Sequence, residues 1–548
     1  MSLRIQNLPP VPEETAQTAQ ASFPDGNVFM QMRDELGSLY SDEMFAELYS
    51  SEGQPGLSPW RLALVSVMQF AENLSDRQTA DAVRARIDWK YALSLELTDP
   101  GFHYSVLSEF RGRLIQGGME QILLDRLLER CKERGWIKVR GRQRTDSTHL
   151  LGAVKALNQL ELVGETMRHA LNVLATVAPE WLRGQVKPEW FERYAERIED
   201  YRLPKDKTER DRLSASIGDD GYYLLDCVEH ASGLEWLKQL PAVQTLTQMW
   251  QQQYRLDNGR AKRLQPKEML PVGEWIRSPY DDEVRFGKKR DFEWIGYKVH
   301  LTETCDANQP HFITQVETVP AIEQDHLALN DIRADLATKD MLPAQHLADA
   351  GYISAKRILH SQDAHGIDLI GPVHVDPSWQ AHTPEAFDVS QFQIDWQRQE
   401  VTCPKGQHNI AWYLGQDAKG ESVVQILFDK ATCQACSLRA RCTTARTTGR
   451  SMTLRYPQER HEMLQAARLR QQTDDFKTLY RLRSGIEGTF SQTTRNSGLR
   501  RTRYIGLRKT HLQNILTAVA TNILRLVRWL DGIPFAKTRT SRFAALAA

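Results

Sequence analysis

Apolar residues recur at helical spacing through the first quarter of the chain. Ser58 and Pro59 form an N-cap and first-turn pair ahead of an apolar run, and the segments 79–95 and 105–131 continue with apolar positions three and four residues apart. The pattern predicts short helices joined by tight turns over 25–135. Such a bundle is typical of helical DNA-recognition domains, and an all-helical scaffold that contacts no DNA groove fits the pattern equally well.

Apolar and polar residues alternate farther along the chain, which indicates strands. The predicted order is strand, hairpin, helix, strand, helix and strand, and this order describes a mixed α/β sheet. Asp146 lies at or near the end of the first predicted strand, and Asp349 follows a later one. The predicted elements are a strand over 136–149, a hairpin of 294–304 and 311–319, a helix over 325–338, a strand from Gln345, a helix from Ser354 and an apolar strand over 367–372.

Breaks in these patterns divide the chain into several units. The first residues are polar and proline-rich without periodicity, as in a flexible arm. A second helical stretch interrupts the sheet pattern, and short strands, turns and cysteines follow the sheet. We therefore predict an arm over 1–24, a helical DNA-binding domain over 25–135, the first part of an α/β core over 136–372 with a helical insertion at about 154–267, a cysteine-bearing, zinc-ribbon-like β insertion over 373–467, and the final helices of the core with a basic DNA-contacting segment over 468–548.

Composition narrows the class of protein. The chain has 548 residues, too many for one ordinary core, so about two to four domains are expected. Its first ten residues hold no basic region followed by an apolar run, and no stretch reaches the ~20 apolar residues of a membrane span. Seven cysteines in so long a chain argue against a disulfide framework. We expect a cytoplasmic protein that does not enter a membrane.

Charge is distributed unevenly, although the formal net charge is zero. From Arg439 to the end there are 22 Lys and Arg residues against 6 Asp and Glu residues. Arginine dominates this basic region, and Tyr480, Phe490 and Tyr504 are interleaved with it. Guanidinium groups suit phosphate geometry, so the region predicts a nucleic-acid surface; the alternative is an ordinary solvated face.

Glu487 is a lone carboxylate in the predicted basic helix of this region. Cations there would neutralise phosphates, whereas a carboxylate would be repelled by the same polymer unless a divalent metal bridged the two. The alternative is that Glu487 pairs with Arg483 one turn earlier on a solvated face. The cations of the segment are Arg481, Arg483, Arg495, Arg500, Arg501, Arg503, Arg508 and Lys509.

Asp146 and Asp349 are the acids best suited to join Glu487. Each follows a short strand with apolar residues, and α/β sheets build their sites at the carboxyl ends of strands. Two aspartates and a helix glutamate could hold two Mg²⁺ or Mn²⁺ ions roughly 3.5–4 Å apart, one activating the attacking oxygen and the other stabilising the leaving oxygen. Taken singly, an Asp before a turn is more commonly a cap residue.

The three acids stand in motifs that resemble those of the DDE transposases of bacterial insertion sequences. The motifs are Arg144-Thr-Asp146-Ser-Thr, Ala348-Asp349-Ala-Gly-Tyr352 and Tyr480-x2-Arg483-x3-Glu487. The helical N-terminal region, the Trp294-Ile-Gly-Tyr-Lys-Val-His segment, the cysteine-bearing insertion and the tail from Gly498 are also similar to one subgroup of that family. The resemblance covers most of the chain and implies an RNase H-like catalytic domain.

The resemblance also implies roles for individual residues. Asp146, Asp349 and Glu487 would be the catalytic residues and the ligands of two Mg²⁺ or Mn²⁺ ions. Tyr480 and Arg483 would contact DNA near the cleaved strand.

One departure from the family motif affects the DNA-contacting set. The motif continues Glu-x6-Lys, but Thr494 holds the matching position here and Arg495 follows it, which leaves the role of that cation open. We include Arg495 with Arg500, Arg501 and Arg503 as predicted DNA-binding residues.

The expected function is transposition. By resemblance the protein binds double-stranded DNA at terminal inverted repeats, cleaves it and joins the 3′-hydroxyl ends to target DNA, and we expect a homodimer on DNA at the bacterial nucleoid. Two alternatives stay open: a metal-dependent nuclease of the same fold that never joins ends, and a DNA-binding protein with a decayed or repurposed site. Three acids in matching contexts argue against decay.

Four of the seven cysteines form a second constellation. Cys403 precedes the group Cys433-x2-Cys436-x5-Cys442, and four thiolates with one Cys-x2-Cys knuckle can hold a structural Zn²⁺. His408 is a substitute ligand in this scheme. The alternative is four free thiols inside a small β insertion.

Overall fold

The N-terminal part of the protein is helical, as predicted from the spacing of apolar residues. The structure is a computed structural model that describes residues 2–6, 8–37, 39–535, 542–543 and 546. The helices of this part are α1 Glu13–Ser22, α2 Val28–Leu36, α3 Pro59–Ala71, α4 Asp76–Ala85, α5 Ile87–Ala92, α6 Ser105–Gly117 and α7 Ile122–Glu133. Pro59 occupies the first turn of α3, and Ser75 is the N-cap of α4 and forms a capping box with Gln78.

Residues 13–22 form helix α1, although the sequence predicts a flexible arm there. Thr15 and Ala19 are buried, and Thr15 Oγ1 donates a hydrogen bond of 2.8 Å to the carbonyl of Leu95. Ala19 packs against Tyr91 in a small core. The helix is stabilised by these tertiary contacts, which its polar local sequence does not reveal.

The sheet begins with β1, which spans Arg142–Leu151. The strand starts later than predicted because residues 136–141 form a turn in which Arg140 has a φ of 53°. The predicted helical insertion follows and has its own core around Met167 and Trp250. It ends in a hairpin that the sequence pattern did not predict. Its elements are α8 Gln159–Val177, α9 Pro179–Arg183, α10 Pro188–Tyr194, α11 Lys207–Glu229, α12 Pro241–Gln253, β2 Tyr254–Asp257 and β3 Arg260–Arg263.

The remaining strands of the sheet follow this insertion. They and their helices are β4 Arg285–Lys289, β5 Phe292–Thr304, β6 Ile313–Pro320, α13 Asp325–Thr338, β7 Gln345–Ala348, α14 Ala355–His365 and β8 Asp368–Ile370. The strand order is β6–β5–β1–β7–β8, with β4 beside the start of β5. Strand β5 is antiparallel to β1 and β6, whereas β7 runs parallel to β1 and β8. This mixed sheet, interrupted by insertions and preceded by helices, confirms the predicted α/β fold class of the RNase H-like type.

The cysteine-bearing insertion is a small β unit with its own core. Phe392, Ile426 and Leu454 are buried in that core. Strands β11, β12 and β13 form one antiparallel sheet in that order, and β9 pairs with β10. The elements are β9 Gln393–Asp395, β10 Glu400–Thr402, β11 Asn409–Gln416, β12 Ser422–Phe428, α15 Lys430–Ala435, α16 Arg439–Cys442 and β13 Ser451–Arg455.

The last helices return the chain to the sheet. They are α17 Gln458–Arg470, α18 Asp474–Arg481, α19 Gly485–Ser497 and α20 Leu507–Leu530. Helix α20 packs against α3, α7 and β6, so one continuous hydrophobic core joins the N-terminal helices, the sheet and α20. The predicted helical domain over 25–135 therefore shares its core with the sheet. The end of the predicted unit 468–548 lies largely outside the described residues.

Within the described ranges, no helix combines the length and the apolar character needed to cross a bilayer.

Candidate active site

The register of β1 and β7 places Asp146 beside Asp349. The last parallel pair between these strands is Thr145 with Ala348, and each aspartate is the next residue along the chain. Asp146 lies in the middle of β1 rather than near its end as predicted, because the strand continues along β5 to Leu151. Both acids nevertheless stand where the parallel pairing with β7 stops.

Both aspartates are oriented by local hydrogen bonds. Asp146 Oδ1 accepts from the backbone N–H of Ser147 at 2.8 Å. Asp349 caps a short 3₁₀ turn, and its Oδ1 accepts from the backbone N–H of Gly351 at 2.9 Å. The cap role that the sequence left open for Asp349 is therefore real, and its other oxygen points toward Arg483.

Glu487 lies in the first turn of α19, directly after a 3₁₀ turn at Leu482–Ser484 that contacts both β1 and β7. Arg144 Nη1 donates a hydrogen bond of 2.5 Å to the carbonyl of Leu482. The turn is thereby fixed above the strands that carry the aspartates, and the start of α19 faces them.

Arg483 lies at the centre of the three acids. Its Nη2 donates to Asp146 Oδ2 and lies 3.9 Å from Asp349 Oδ2. Its Nη1 lies 3.4 Å from Glu487 Oε1. The structure thus brings Asp146, Asp349 and Glu487 together around one guanidinium group. The predicted alternative, a simple pairing of Glu487 with Arg483, is one part of this larger arrangement.

The three acids differ in their exposure to solvent. The Asp146 side chain is 5 % exposed, and burial raises its pKa to about 6, although the nearby Arg483 opposes the shift. The Asp349 side chain is 30 % exposed and that of Glu487 is 60 % exposed. The cluster is therefore closed toward the sheet and open toward solvent on the Glu487 side, where a large substrate could approach.

The donor set fits hard divalent cations. All three side chains offer carboxylate oxygens, which Mg²⁺ and Mn²⁺ prefer as ligands. The three carboxylates already surround one positive charge, the guanidinium of Arg483. In the part of the chain that the structure describes, no three His, Cys, Asp or Glu side chains are arranged to hold a metal ion.

The four cysteines of the predicted zinc site lie near one another but do not form such an arrangement. Cys403 Sγ accepts the backbone N–H groups of Lys405 and Gln407, both at 3.4 Å. Burial raises the pKa of the Cys442 thiol. The nearby thiols of Cys403, Cys433 and Cys436 raise this pKa as well. His408 points instead to Glu400, 3.2 Å away.

The predicted DNA-binding residues divide into exposed and internal side chains. Arg495 and Arg501 are exposed, while Tyr480 is half-buried and stacks on Phe476. Arg500 Nε donates to Thr148 Oγ1 at 3.2 Å.

Arg503 and Arg483 are internal. Arg503 donates to the carbonyl of Leu74 at 2.8 Å and lies over the ring of Phe70, so it ties the basic tail to the N-terminal helices. Arg483 is held by the acids. Both side chains therefore have structural contacts that the sequence did not indicate.

A buried ion network beneath the acids was missed by the sequence reasoning. Glu303 accepts hydrogen bonds from Arg144, Thr489 and Arg525, which come from β1, α19 and α20. Arg144 and Glu303 are charged residues at facing positions of two buried strands. Both charged residues can be read from the sequence, but their pairing becomes visible only once the register of the two strands is known.

Comparison with known proteins agrees with the fold. A family model described as a transposase DDE domain matches residues 402–527, which include Glu487 and the four cysteines. A second model, described as a transposase domain (DUF772), matches residues 18–113 in the N-terminal helices. No curated protein matches the chain. The two family matches indicate a DDE transposase of the insertion-sequence type. Transposases of this class act on DNA and generally use divalent metal ions such as Mg²⁺.

Proposed function

We propose that the protein binds the terminal inverted repeats of its insertion sequence, cleaves the DNA there and joins the 3′-hydroxyl ends to target DNA by two-metal-ion phosphoryl transfer. The observation that carries this proposal is the convergence of Asp146, Asp349 and Glu487 on Arg483 from three separate elements. The open, solvent-facing side of the cluster is consistent with a large polymeric substrate.

The acids would hold two Mg²⁺ or Mn²⁺ ions. When bound, these ions would activate the attacking oxygen and stabilise the leaving oxygen of the phosphodiester. Asp146 and Asp349 would contribute neighbouring carboxylates where β1 and β7 stop pairing, and Glu487 would contribute a third from the first turn of α19. Water and then the 3′-hydroxyl would act as nucleophiles, so no side chain forms a covalent bond with DNA. Arg483, once replaced among the acids by metal ions, would be free to contact a phosphate.

The basic segment over 468–548 would supply affinity for DNA. Arg495 and Arg501 are exposed, and Arg500 is partly so, which supports phosphate contact by these three residues. Tyr480 and Arg483 would contact DNA near the cleaved strand. Two copies of the chain, one on each end of the element, would act together on double-stranded DNA in the bacterial cytoplasm, at the nucleoid.

We further propose that Cys403, Cys433, Cys436 and Cys442 bind a structural Zn²⁺. Their spacing and the backbone N–H groups aimed at Cys403 Sγ support this assignment. Elemental analysis of protein purified without chelator tests it. About one zinc per chain is expected, with loss of the metal in Cys436→Ser. Absence of zinc from the parent protein would refute the zinc site and leave the catalytic proposal intact.

A strand-transfer assay separates transposition from its alternatives. The purified protein is incubated with Mg²⁺, a DNA fragment carrying the ends of its element, and a target plasmid. Cleavage at the ends followed by joined products supports the proposal. Cleavage without joining favours a nuclease, and binding without cleavage favours a DNA-binding protein with a repurposed site.

A further inference from the structure

Glu303 is a fully buried carboxylate between β1 and α19, the elements that carry Asp146 and Glu487. It lies on β5, and both of its oxygens accept hydrogen bonds: Oε1 from Arg144 Nε at 2.7 Å, and Oε2 from Thr489 Oγ1 at 2.6 Å and Arg525 Nη1 at 2.8 Å. Burial alone would raise its pKa, yet the two arginines bring the pKa below its ordinary value. Glu303 is therefore charged and fully paired.

The partners of Glu303 stand next to the proposed catalytic residues. Arg144 precedes Asp146 by two residues on β1, so the two side chains share one face of the sheet. Thr489 follows Glu487 by two residues on α19. One carboxylate thus links the strand of Asp146 to the helix of Glu487.

Arg144 makes a second contact that fixes the start of α19. Its guanidinium donates to the carbonyl of Leu482 and lies against the backbone of Gly485, where any Cβ would collide with Nη1 of Arg144. Gly485 has an ordinary helical backbone, so the close approach of Arg144 is what requires glycine there. Gly488, one residue after Glu487, has no atom within 4 Å of the equivalent position.

We propose that Glu303 is a positioning residue for the active site, an inference that rests on the proposed metal-binding role of the three acids. Through Arg144 and Thr489 it sets the position of α19 over β1 and hence of Glu487 relative to Asp146 and Asp349. Residues that orient metal ligands typically contribute about 10–100-fold to metal affinity or activity. Glu303 acts in this way without touching metal or DNA.

The test compares Gly485→Ala with Gly488→Ala. Both changes replace glycine by a better helix former in the same helix, but only the first displaces Arg144. Mn²⁺ binding is measured by calorimetry in the absence of DNA, alongside thermal unfolding and affinity for terminal-repeat DNA. We expect Gly485→Ala to weaken Mn²⁺ binding by about tenfold or more, with folding and DNA affinity retained, and Gly488→Ala to bind like the parent.

Glu303→Gln is the direct variant and should also weaken Mn²⁺ binding. If it fails to fold, Gly485→Ala, which keeps every charge, decides the question. Parent-like Mn²⁺ binding by a folded Gly485→Ala protein, or a parent protein that binds no Mn²⁺, would overturn the inference. A parent that binds Mn²⁺ but cleaves no DNA would instead count against the proposed function, and the positioning role would still be read from Mn²⁺ binding.

Discussion

Arg483 donates a hydrogen bond to the carboxylate of Asp146, a residue 337 positions earlier in the chain. The same guanidinium lies within ion-pair distance of Asp349 and Glu487, so one cation offsets the repulsion among three acids. Asp146 is the most buried of the three and depends most on this compensation. In this arrangement Arg483 and a divalent metal would compete for the same carboxylates.

Replacing Arg483 with Gln should make the protein less stable without metal and more responsive to it. The three carboxylates would lose their shared cation, and leaving a buried charge unpaired costs about 3 kcal/mol. Mg²⁺ should then raise the melting temperature of R483Q more than that of the parent. Differential scanning calorimetry with and without Mg²⁺ measures the effect, and the exposed Arg481, changed to Gln, is the control. An equal response in R483Q and the parent would mean that Arg483 and the metal do not share the acids.

Replacing Arg501 with Ala should weaken DNA binding without affecting the fold. Arg501 is exposed, so its guanidinium can contact a phosphate of the DNA. Loss of that contact should make the salt dependence of binding shallower by roughly one counterion. Arg503→Ala provides the contrast. Because Arg503 binds the carbonyl of Leu74 and covers Phe70, its loss should lower the melting temperature and leave the salt slope unchanged. DNA-binding titrations at several salt concentrations measure the slope for each variant. An equal change of slope in both variants would contradict the distinction between a DNA-contacting Arg501 and a structural Arg503.

Acid should destabilise the protein through its buried histidines. Burial lowers the pKa of His311 and His511 to about 4 and that of His346 to about 3. The unfolded chain binds more protons than the folded chain between these values and about 6.5, so stability falls as the pH drops through that window. His511 alone would contribute a loss of about 3 kcal/mol at ~1.4 kcal/mol per pH unit.

Denaturant unfolding at a series of pH values measures this loss. His346→Gln removes one of the titrating groups, so the decline between neutral pH and about pH 4 should be shallower in this variant than in the parent. A parent protein whose free energy of unfolding is constant over this range would contradict the argument.

Local sequence patterns predict much of the sheet and its helices. The helix at 325–338 and the strand that ends just before Asp349 lie where the apolar pattern predicts them. The same patterns fail for residues 13–22, where a polar helix is stabilised by packing against Tyr91. Tertiary contacts of this kind leave no periodic signal.

The convergence of the three acids was predictable from the sequence, but the orientation of the arginines was not. Asp146, Asp349 and Glu487 stand in recognisable motifs, and the structure brings them together. The inward orientation of Arg483 and the docking of Arg503 on the N-terminal helices depend on contacts hundreds of residues apart. A count of positive charges along the chain cannot distinguish such arginines from exposed ones such as Arg501.

Replacement of Glu487 with Gln tests the central claim most directly. The change keeps the shape of a 60 % exposed side chain and removes one negative charge, so affinity for terminal-repeat DNA should stay the same or rise. Cleavage in Mg²⁺ should fall by on the order of a thousandfold, because the metal-bound site supplies several kcal/mol of stabilisation. If E487Q nicks the DNA at a rate near that of the parent, Glu487 is not a metal ligand, and the cluster around Arg483 is a structural ion network.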